Sequence, residues 1–390
     1  VVAAGLGAAG AGWVIPHLPP AWQPGVAEMP VSEAQLEAAR VAATDAATAA
    51  ARAEIQAQGD AFASRATEAG ADAARQALAD AGLLGDERIK DGRMGVACGS
   101  STGSTADIRD IGELLLTGRS AHFSANTYVR MMPHTTAANV GIFFGLTGRI
   151  IPTSSACTSG SQGIGYAYEA IKSGRQLAML AGGAEELDIT GTAVFDTLFA
   201  TSNDNDAPAT TPRPFDASRN GLVIGEGACT LVLEDLEHAL ARGATIHAEI
   251  VGYGTNSDGQ HVTQPNASTM AQAMRLALDD AGLSPEAISY VNAHGTATRV
   301  GDEIEWAALA QVWEGALPQL QVSSTKALHG HLLGAAGPAV EELQQLGVNA
   351  VDFLADARQF LLQGIAHECL AAKSFMKWTR ARTPSRGMAL

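Results

Sequence analysis

A stretch of thirteen residues occurs twice in this chain, with the second copy 200 residues after the first. Residues 71–83, ADAARQALADAGL, agree with residues 271–283, AQAMRLALDDAGL, at nine of thirteen positions. Each copy is alanine-rich, as helices often are, and ends at Gly82 or Gly282, the residue type that most readily forms a left-handed helix cap. A candidate strand follows each copy, MGVACGSS in the first and ISYVNAHG in the second. The sequence therefore predicts a duplicated α/β fold in which two similar halves pack together as one globule.

The charge and the cysteines exclude several classes of protein. With 390 residues the chain can bury a large core, and its formal charge of −16 argues against binding nucleic acid or a membrane surface, since both require basic surface. The four cysteines are widely scattered at positions 98, 157, 229 and 369, which is unlike a secreted disulfide framework and predicts a reducing cytoplasm.

The amino-terminal residues carry two weak signals. They are apolar but lack a basic segment, so we expect no signal peptide here. Gly5, Gly7 and Gly10 have the spacing of a dinucleotide-binding turn, but almost no strand precedes them and prolines follow soon after. We therefore do not predict a dinucleotide cofactor.

Cys157 lies where a predicted strand turns into a predicted helix. The segment GRIIPTSSACTSGSQGIGYAYEAIKSG runs from apolar residues through small ones to a helical pattern that ends at Gly174. Backbone amides and the dipole at a helix N-terminus favour a thiolate, so we expect the pKa of Cys157 to fall below its usual value of about 8.5. We interpret Cys157 as a nucleophile and the other cysteines as buried apolar residues.

Two histidines in the second half are candidate partners of Cys157. His294 follows the predicted strand ISYVNA, and His331 lies in the glycine-rich segment SSTKALHGHLLGAAG. The same segment contains Lys326 and His329. A metal site is one alternative, because His329 and His331 form an H-x-H pair and Cys157 is a soft ligand. A Cys–His hydrolase is another, although it leaves one histidine and Lys326 without a role.

Six motifs occur in the order seen in β-ketoacyl-acyl-carrier-protein synthases, the family that this chain resembles. They are TSSACTSGSQGIGYA, AGGAEE at 181–186, RPFDASRNGLVIGEGA at 213–228, AEIVGYGTNSDG, NAHGTAT and STKALHGHLLGAAG. The resemblance implies a thiolase-like α/β fold with two duplicated βαβαβ-type halves and central helices sandwiched between sheets. We expect the halves to comprise residues 1–235 and 236–390.

The resemblance also implies a reaction that needs neither cofactor nor metal. Cys157 would accept an acyl group from an acyl carrier protein, and a malonyl thioester would lose CO₂ to give the carbanion that attacks the acyl-enzyme. His294 and His331 match histidines that stabilise the enolate by hydrogen bonds. Lys326 matches the lysine that orders this cluster.

Other matched positions concern substrate and partners. By the resemblance, Thr296 and Thr298 bind the pantetheine arm, Phe195 lines the acyl channel, and the chain forms a homodimer. Five basic residues near the nucleophile in sequence are candidates for a patch that binds the acidic carrier protein, with a solvated rim as the alternative. They are Arg119, Arg130, Arg149, Lys172 and Arg175.

Both ends differ from the pattern of the family. Residues 1–65 do not align, no N-S-F-G-F-G-G-T-N loop follows Gly337, and Val340 stands where the family has a glutamate. That loop supplies a gating phenylalanine and an oxyanion amide in the family, and losing one oxyanion donor lowers rates about 100- to 1,000-fold. A catalytically impaired or inactive partner subunit, similar to a chain-length factor, is therefore the alternative to an active synthase.

Overall fold

The structure is a computed structural model that describes residues 64–120, 122–260 and 264–339 and the backbone of Met388–Ala389. The glycine motif at residues 5–10, most of the alanine-rich segment at residues 33–80, Val340 and Cys369 lie outside the described residues. The described helices are α1 Arg65–Asp80, α2 Thr105–Thr117, α3 Ala125–Arg130, α4 Thr135–Phe144, α5 Ser159–Lys172, α6 Ile189–Thr197, α7 Leu236–Ala241, α8 Ala267–Ala281, α9 Arg299–Trp313 and α10 Lys326–His329. The strands are β1 Met94–Gly99, β2 Ile150–Thr153, β3 Ala178–Glu185, β4 Gly227–Asp235, β5 Glu249–Ile250, β6 Tyr290–Asn292, β7 Gln321–Ser323 and β8 Met388–Ala389.

The larger sheet has the strand order β2-β1-β3-β4-β8-β5, and a second sheet pairs β6 with β7 in parallel. Strand β1 is parallel to both β2 and β3, whereas β4 runs antiparallel to β3. Every residue of β1 and β3 is buried, as expected for parallel strands covered on both faces.

Side chains that alternate along β1 enter two different cores. Val96 packs in a cluster with Leu78 of α1 and Phe144 of α4, while its neighbour Ala97 packs in a cluster with Tyr168 of α5. This follows from the two-residue period of a strand, which sends successive side chains to opposite faces. The sheet is therefore sandwiched between α1 and α4 on one face and α5 on the other.

The duplication predicted from the repeat is present in the backbone. Gly82 and Gly282 follow α1 and α8 with φ of +67° and +66°. The next residue donates its N–H five residues back in both copies, from Leu83 to Leu78 at 2.8 Å and from Leu283 to Leu278 at 3.0 Å. A strand that pairs in parallel comes next each time, β1 in the first copy and β6 in the second. The predicted helix–strand unit is confirmed in both halves.

The two halves contact each other along the helix that starts at the predicted nucleophile. The Tyr168 hydroxyl of α5 donates to Oδ2 of Asp280 in α8 at 2.8 Å, and Lys172 Nζ lies 2.6 Å from Oδ1 of the same carboxylate. Asp280 belongs to the second copy of the repeat, so this copy helps to join the halves. Within the described ranges, no helix has both the length and the apolar character required to span a bilayer.

Candidate active site

Cys157 occupies a tight elbow between β2 and α5, as the sequence predicts. Ala156 has a left-handed backbone with φ of +52°, which is unfavourable for a residue with a Cβ and requires support from its surroundings. Ser159 provides that support, since its Oγ donates to the Ala156 carbonyl at 2.7 Å and accepts the Ser155 N–H at 2.8 Å. The strained turn brings the cysteine to the end of α5 that faces the second half.

His331 approaches Cys157 from the second half. Its backbone pairs with residues 223–225, donating to the Val223 carbonyl at 2.7 Å and accepting from Gly225 at 3.0 Å. The His331 Nε2 atom lies 3.0 Å from Sγ of Cys157, and its Nδ1 accepts the backbone N–H of Leu333 at 3.3 Å. Because Nδ1 is an acceptor, a neutral His331 ring carries its hydrogen on Nε2 and directs it at the sulfur.

His294 follows β6, and Glu305 of α9 holds its backbone. The two oxygens of Glu305 accept the N–H groups of His294 and Gly295 at 2.7 and 2.8 Å. The His294 ring meets that of His331 edge to face, with centroids 5.3 Å apart. The structure thus brings Cys157 and both predicted histidines together, although they lie in different halves of the chain.

The electrostatics of the site keep both histidines neutral. Burial lowers the pKa of His331 to about 2, assisted by the neighbouring His294 and by the charge of Lys326. Although His294 keeps more than a third of its surface exposed, the protein atoms around the ring lower its pKa as well, and Lys326 acts in the same direction. Neutral imidazoles can donate N–H groups to a developing oxyanion throughout the physiological pH range.

The pKa of the Cys157 thiol differs from the sequence-based expectation. Burial raises it, and this effect outweighs the opposing influence of the Lys326 charge. The prediction of a pKa below the ordinary value is therefore wrong for the free site. A thiol removed from water is harder to ionise, and this effect exceeds the lowering of the pKa by the Lys326 charge and by the backbone hydrogen bond at Cys157.

Lys326 lies at the start of α10 with only 4% of its surface exposed. Burial lowers the pKa of its ammonium group, while the negative charges of Glu305 and Asp302 and the Cys157 sulfur oppose that effect. Lys326 therefore belongs to the same charge cluster as Cys157.

Thr296 and Thr298 lie between His294 and α9, with their Oγ1 atoms 3.0 Å apart. Asp302, which is 1% exposed, fixes this loop by accepting the Ala297 N–H at 3.1 Å and the Phe215 N–H at 2.7 Å. Ala297 and Phe215 both have left-handed backbones, with φ of +65° and +63°. One carboxylate thus holds two strained loops together beside the predicted pantetheine-binding residues.

Phe195 of α6 also reaches this region, with its ring centroid 6.5 Å from that of His331. The predicted basic patch is altered by ion pairs. Arg130 is bound to Asp107 with a shortest contact of 2.7 Å, and Lys172 is bound to Asp280. Both cations therefore have a carboxylate partner, but only Arg130 is largely buried. Lys172 keeps 40% of its side-chain surface exposed, and Arg119, Arg149 and Arg175 are exposed as well.

The alternative of a metal site can be assessed from the donor atoms. Sγ of Cys157 and one nitrogen from each of His294 and His331 lie within 4.8 Å of one another. However, the nitrogen of His331 that faces the sulfur carries the hydrogen, so it is not a free ligand, and the charge of Lys326 repels a cation. The predicted H-x-H partner His329 instead places Nε2 3.2 Å from the Thr325 hydroxyl. The site is built to donate hydrogen bonds.

Three buried carboxylates near the site were not predicted: Glu185, Asp302 and Glu305. Asp302 and Glu305 are three residues apart on α9, a spacing that places both on one face of a helix, and this could have marked them as a pair. Glu185 lies in the motif AGGAEE, but its contacts are with residues distant in sequence and could not be predicted from the motif.

Comparison with known proteins identifies the family to which this α/β fold belongs. The family model described as "Beta-ketoacyl synthase, N-terminal domain" matches residues 24–239, and "Beta-ketoacyl synthase, C-terminal domain" matches residues 247–342. The chain therefore belongs to the β-ketoacyl synthase family and has its thiolase-like fold, as the resemblance predicts.

Individual relatives give the same result. The chain is 43% identical over 277 residues to "3-oxoacyl-[acyl-carrier-protein] synthase 2" of Vibrio cholerae, an alignment that covers 67% of this chain and 64% of the relative. A solved β-ketoacyl synthase from Burkholderia phymatum is 59% identical with a TM-score of 0.71, covering 72% of this chain and 68% of the other. A type II polyketide ketosynthase, solved in complex with its acyl-carrier protein, is 31% identical with a TM-score of 0.66, covering 72% and 71%. The chain thus spans slightly less than two thirds of the length of the Vibrio cholerae relative.

Proposed function

We propose that this chain is a β-ketoacyl-acyl-carrier-protein synthase, an acyltransferase that elongates a fatty acid or a related polyketide chain. The observation that carries the proposal is the 3.0 Å contact between His331 Nε2 and Cys157 Sγ, with the Nδ1 hydrogen bond that fixes the direction of the N–H. An N–H aimed at the sulfur also faces the place where the malonyl thioester must meet the acyl group on that sulfur, so it can donate to the enolate oxygen that forms there.

In the first step Cys157 attacks the thioester of an acyl carrier protein. The sulfur forms the new thioester bond, and its proton goes to the departing pantetheine sulfur. In the second step a malonyl thioester loses CO₂, and the enolate that results attacks the acyl carbon and releases the Cys157 sulfur. His294 and His331 donate hydrogen bonds to the enolate oxygen. The ammonium group of Lys326 balances the negative charges of Glu305 and Asp302 and so keeps these residues in order around the site.

The substrate-binding roles are part of the same proposal. Thr296 and Thr298 bind the pantetheine arm, which the loop position next to His294 supports, and Phe195 lines the acyl channel, which its proximity to His331 supports. The name of the Vibrio cholerae relative and the carrier-bound polyketide ketosynthase support an acyl carrier protein as partner.

A homodimer is supported by the edge of the larger sheet. Within the described residues β2 pairs with β1 alone. Two apolar side chains lie exposed at this edge, Ile150 on β2 and Ile142 on the adjacent α4, with 40% and 76% of their surfaces exposed. An open strand edge next to apolar side chains is suited to pairing with a second copy. We further propose two halves that meet near residue 235 and action in the cytoplasm, the latter supported by free thiols at Cys98, Cys157 and Cys229.

Intact-protein mass spectrometry tests the proposal. The purified chain is mixed with a medium-chain acyl thioester of an acyl carrier protein, and the wild type is compared with Cys157→Ser. We expect a mass gain of one acyl group in the wild type that hydroxylamine, which cleaves thioesters, removes. A folded wild type that gains no mass would favour the inactive partner subunit, and an acyl group elsewhere in the chain would refute the role of Cys157.

A further inference from the structure

Glu185, at the end of β3, has a carboxylate with 2% exposure and four donors around it. Its Oε1 accepts the hydroxyls of Ser100 at 3.2 Å and Thr102 at 3.4 Å. Its Oε2 accepts two backbone N–H groups, from Ser101 at 2.8 Å and from Gly334 at 3.1 Å. The first three donors lie in the loop after β1, whereas Gly334 belongs to the second half of the chain.

The Gly334 peptide is held on both of its sides. Its N–H is bound by Glu185, and its carbonyl oxygen lies against two glycines of the first half. A Cβ at Gly183 would come within 2.2 Å of this oxygen, and a Cβ at Gly160 within 2.5 Å. Such distances leave no room for a side chain at either glycine, so the backbone at Gly334 packs directly against the backbone of the first half.

The neighbouring residue, Leu333, carries the hydrogen bond to the catalytic cluster. Its backbone N–H donates to Nδ1 of His331, and its φ of +47° is unfavourable for a residue with a Cβ. A strained residue keeps its conformation only where the surrounding structure enforces it. The contacts on the Gly334 peptide provide that enforcement one residue away.

We propose that Glu185 is a positioning residue of the active site, which holds the Leu333–Gly334 turn so that the Leu333 N–H stays on Nδ1 of His331 and the hydrogen of that ring stays on Nε2, facing Cys157. The effect on condensation rests on the function proposed above. The effect on the tautomer of His331 does not, because the tautomer can be measured without substrate.

Glu186 offers a matched control. It is the next residue, it is also buried, and its Oε1 accepts the N–H and the hydroxyl of Thr105 at 2.8 and 3.0 Å. These contacts lie at the start of α2 and do not involve the turn after His331. If buried carboxylates at this strand end merely stabilise the fold, shortening either one should have the same consequences.

The experiment measures the ring tautomer of His331 by nitrogen-15 NMR in full-length protein with labelled histidine, using His331→Gln to assign the signal. We expect hydrogen on Nε2 and a bare Nδ1 in the wild type. Glu185→Asp, which retains the charge but is one methylene too short to reach both loops, should yield a mixture of tautomers. Glu186→Asp should resemble the wild type.

Glu185→Gln distinguishes hydrogen bonding from charge. Its amide oxygen can accept the Ser101 and Gly334 N–H groups, while its NH₂ faces two hydroxyls that can rotate to accept. We therefore expect Glu185→Gln to keep the wild-type tautomer. In a condensation assay, Glu185→Asp should lower kcat about 100-fold with little change in KM, the size of effect expected when a reacting group is displaced by about 1 Å.

Three results would overturn the proposal: hydrogen on Nδ1 in the wild type, an unchanged tautomer in folded Glu185→Asp, or a mixed tautomer in Glu185→Gln. If circular dichroism shows that Glu185→Asp does not fold, the His331 tautomers measured in the wild type and in Glu185→Gln still test the proposal. A chain that shows the expected tautomers but no condensation would refute the proposed function and leave the positioning role of Glu185 intact.

Discussion

The two histidines of the site are each positioned through the backbone by a buried glutamate, but over very different distances along the chain. Glu305 binds the N–H of His294, eleven residues away in sequence. Glu185 binds the N–H of Gly334, which lies 149 residues away and in the other half. The first arrangement joins one loop to the helix that follows it, whereas the second requires the two halves to be assembled.

The comparison extends to the charges that act on Cys157. Lys326 and Glu305 both belong to the second half of the chain, and the charge of each shifts the pKa of the other. Glu185 acts on the Cys157 thiol from the first half, where its negative charge raises the pKa while Lys326 lowers it. The pKa of Cys157 is therefore influenced by a cation from one half and an anion from the other. Substitutions of the two glutamates should differ in their effects on unfolding free energy, on the His331 tautomer and on the pH dependence of Cys157.

The largest effect is expected for Glu305→Ala. It leaves the buried N–H of Gly295 and the part-buried N–H of His294 without acceptors. At up to about 3 kcal/mol for each lost partner, the free energy of unfolding should fall by about 2 to 6 kcal/mol. Urea unfolding followed by circular dichroism measures it. Glu303→Ala on the same helix removes a side chain that is 73% exposed and should change stability by less than about 0.5 kcal/mol. Similar losses in both variants would contradict the role assigned to Glu305.

Gly183→Ala tests the contact between the halves behind His331. The added Cβ would collide with the Gly334 carbonyl oxygen, and overpacking of this kind destabilises by about 1 to 3 kcal/mol. Gly191→Ala is the control, because a Cβ there meets nothing within 4 Å. Alanine is more favourable than glycine inside a helix, so this change in α6 should raise the free energy of unfolding by about 0.5 to 1 kcal/mol. Thermal unfolding of both variants gives the comparison. A neutral Gly183→Ala would show that the turn can move without penalty.

Opposite shifts are expected in the pH dependence of Cys157 alkylation by iodoacetamide. Lys326→Met removes a cation that favours the thiolate, so the pKa of Cys157 should rise further and the alkylation profile should move to higher pH. Glu185→Gln removes an anion that disfavours the thiolate, so the profile should move to lower pH. The initial rate against pH in the two variants and the wild type provides the test, and shifts of the same sign would refute this account of the charges.

The smallest effect concerns the coupling between the two glutamates. They have no hydrogen-bond partner in common, so the losses of unfolding free energy in Glu185→Asp and Glu305→Asp should add in the double variant to within about 0.5 kcal/mol. A larger coupling energy would mean that Glu185 and Glu305 do not act independently. The contrast between local positioning of His294 and long-range positioning of His331 would then not hold.

Much of the fold was predictable because its signals are local. The ends of α1 and α8 follow from a glycine after an alanine-rich helix, and the elbow at Cys157 follows from an apolar strand, small residues and a helical pattern. The position of His294 just after β6 likewise follows from the strand that precedes it.

Properties that depend on several distant segments were not predictable. The sequence suggested a lowered pKa for Cys157, because the helix N-terminus is visible in it and the depth of burial is not. It suggested a patch of five cations around Cys157, but not that two of them, Arg130 and Lys172, form ion pairs with carboxylates 23 and 108 residues away. The tautomer of His331 depends on a turn that Glu185 reaches from the other half.

The sequence by itself indicated the class of protein through six ordered motifs that resemble those of the family. It also predicted the duplicated architecture and the candidate residues Cys157, His294 and His331, because these are marked by residue types at short spacing and by helix and strand periods. The tertiary structure decided the protonation of the site and the direction of its hydrogen bonds. Desolvation and hydrogen bonds between the halves depend on which atoms meet in space, and that is settled only when residues more than a hundred positions apart pack together.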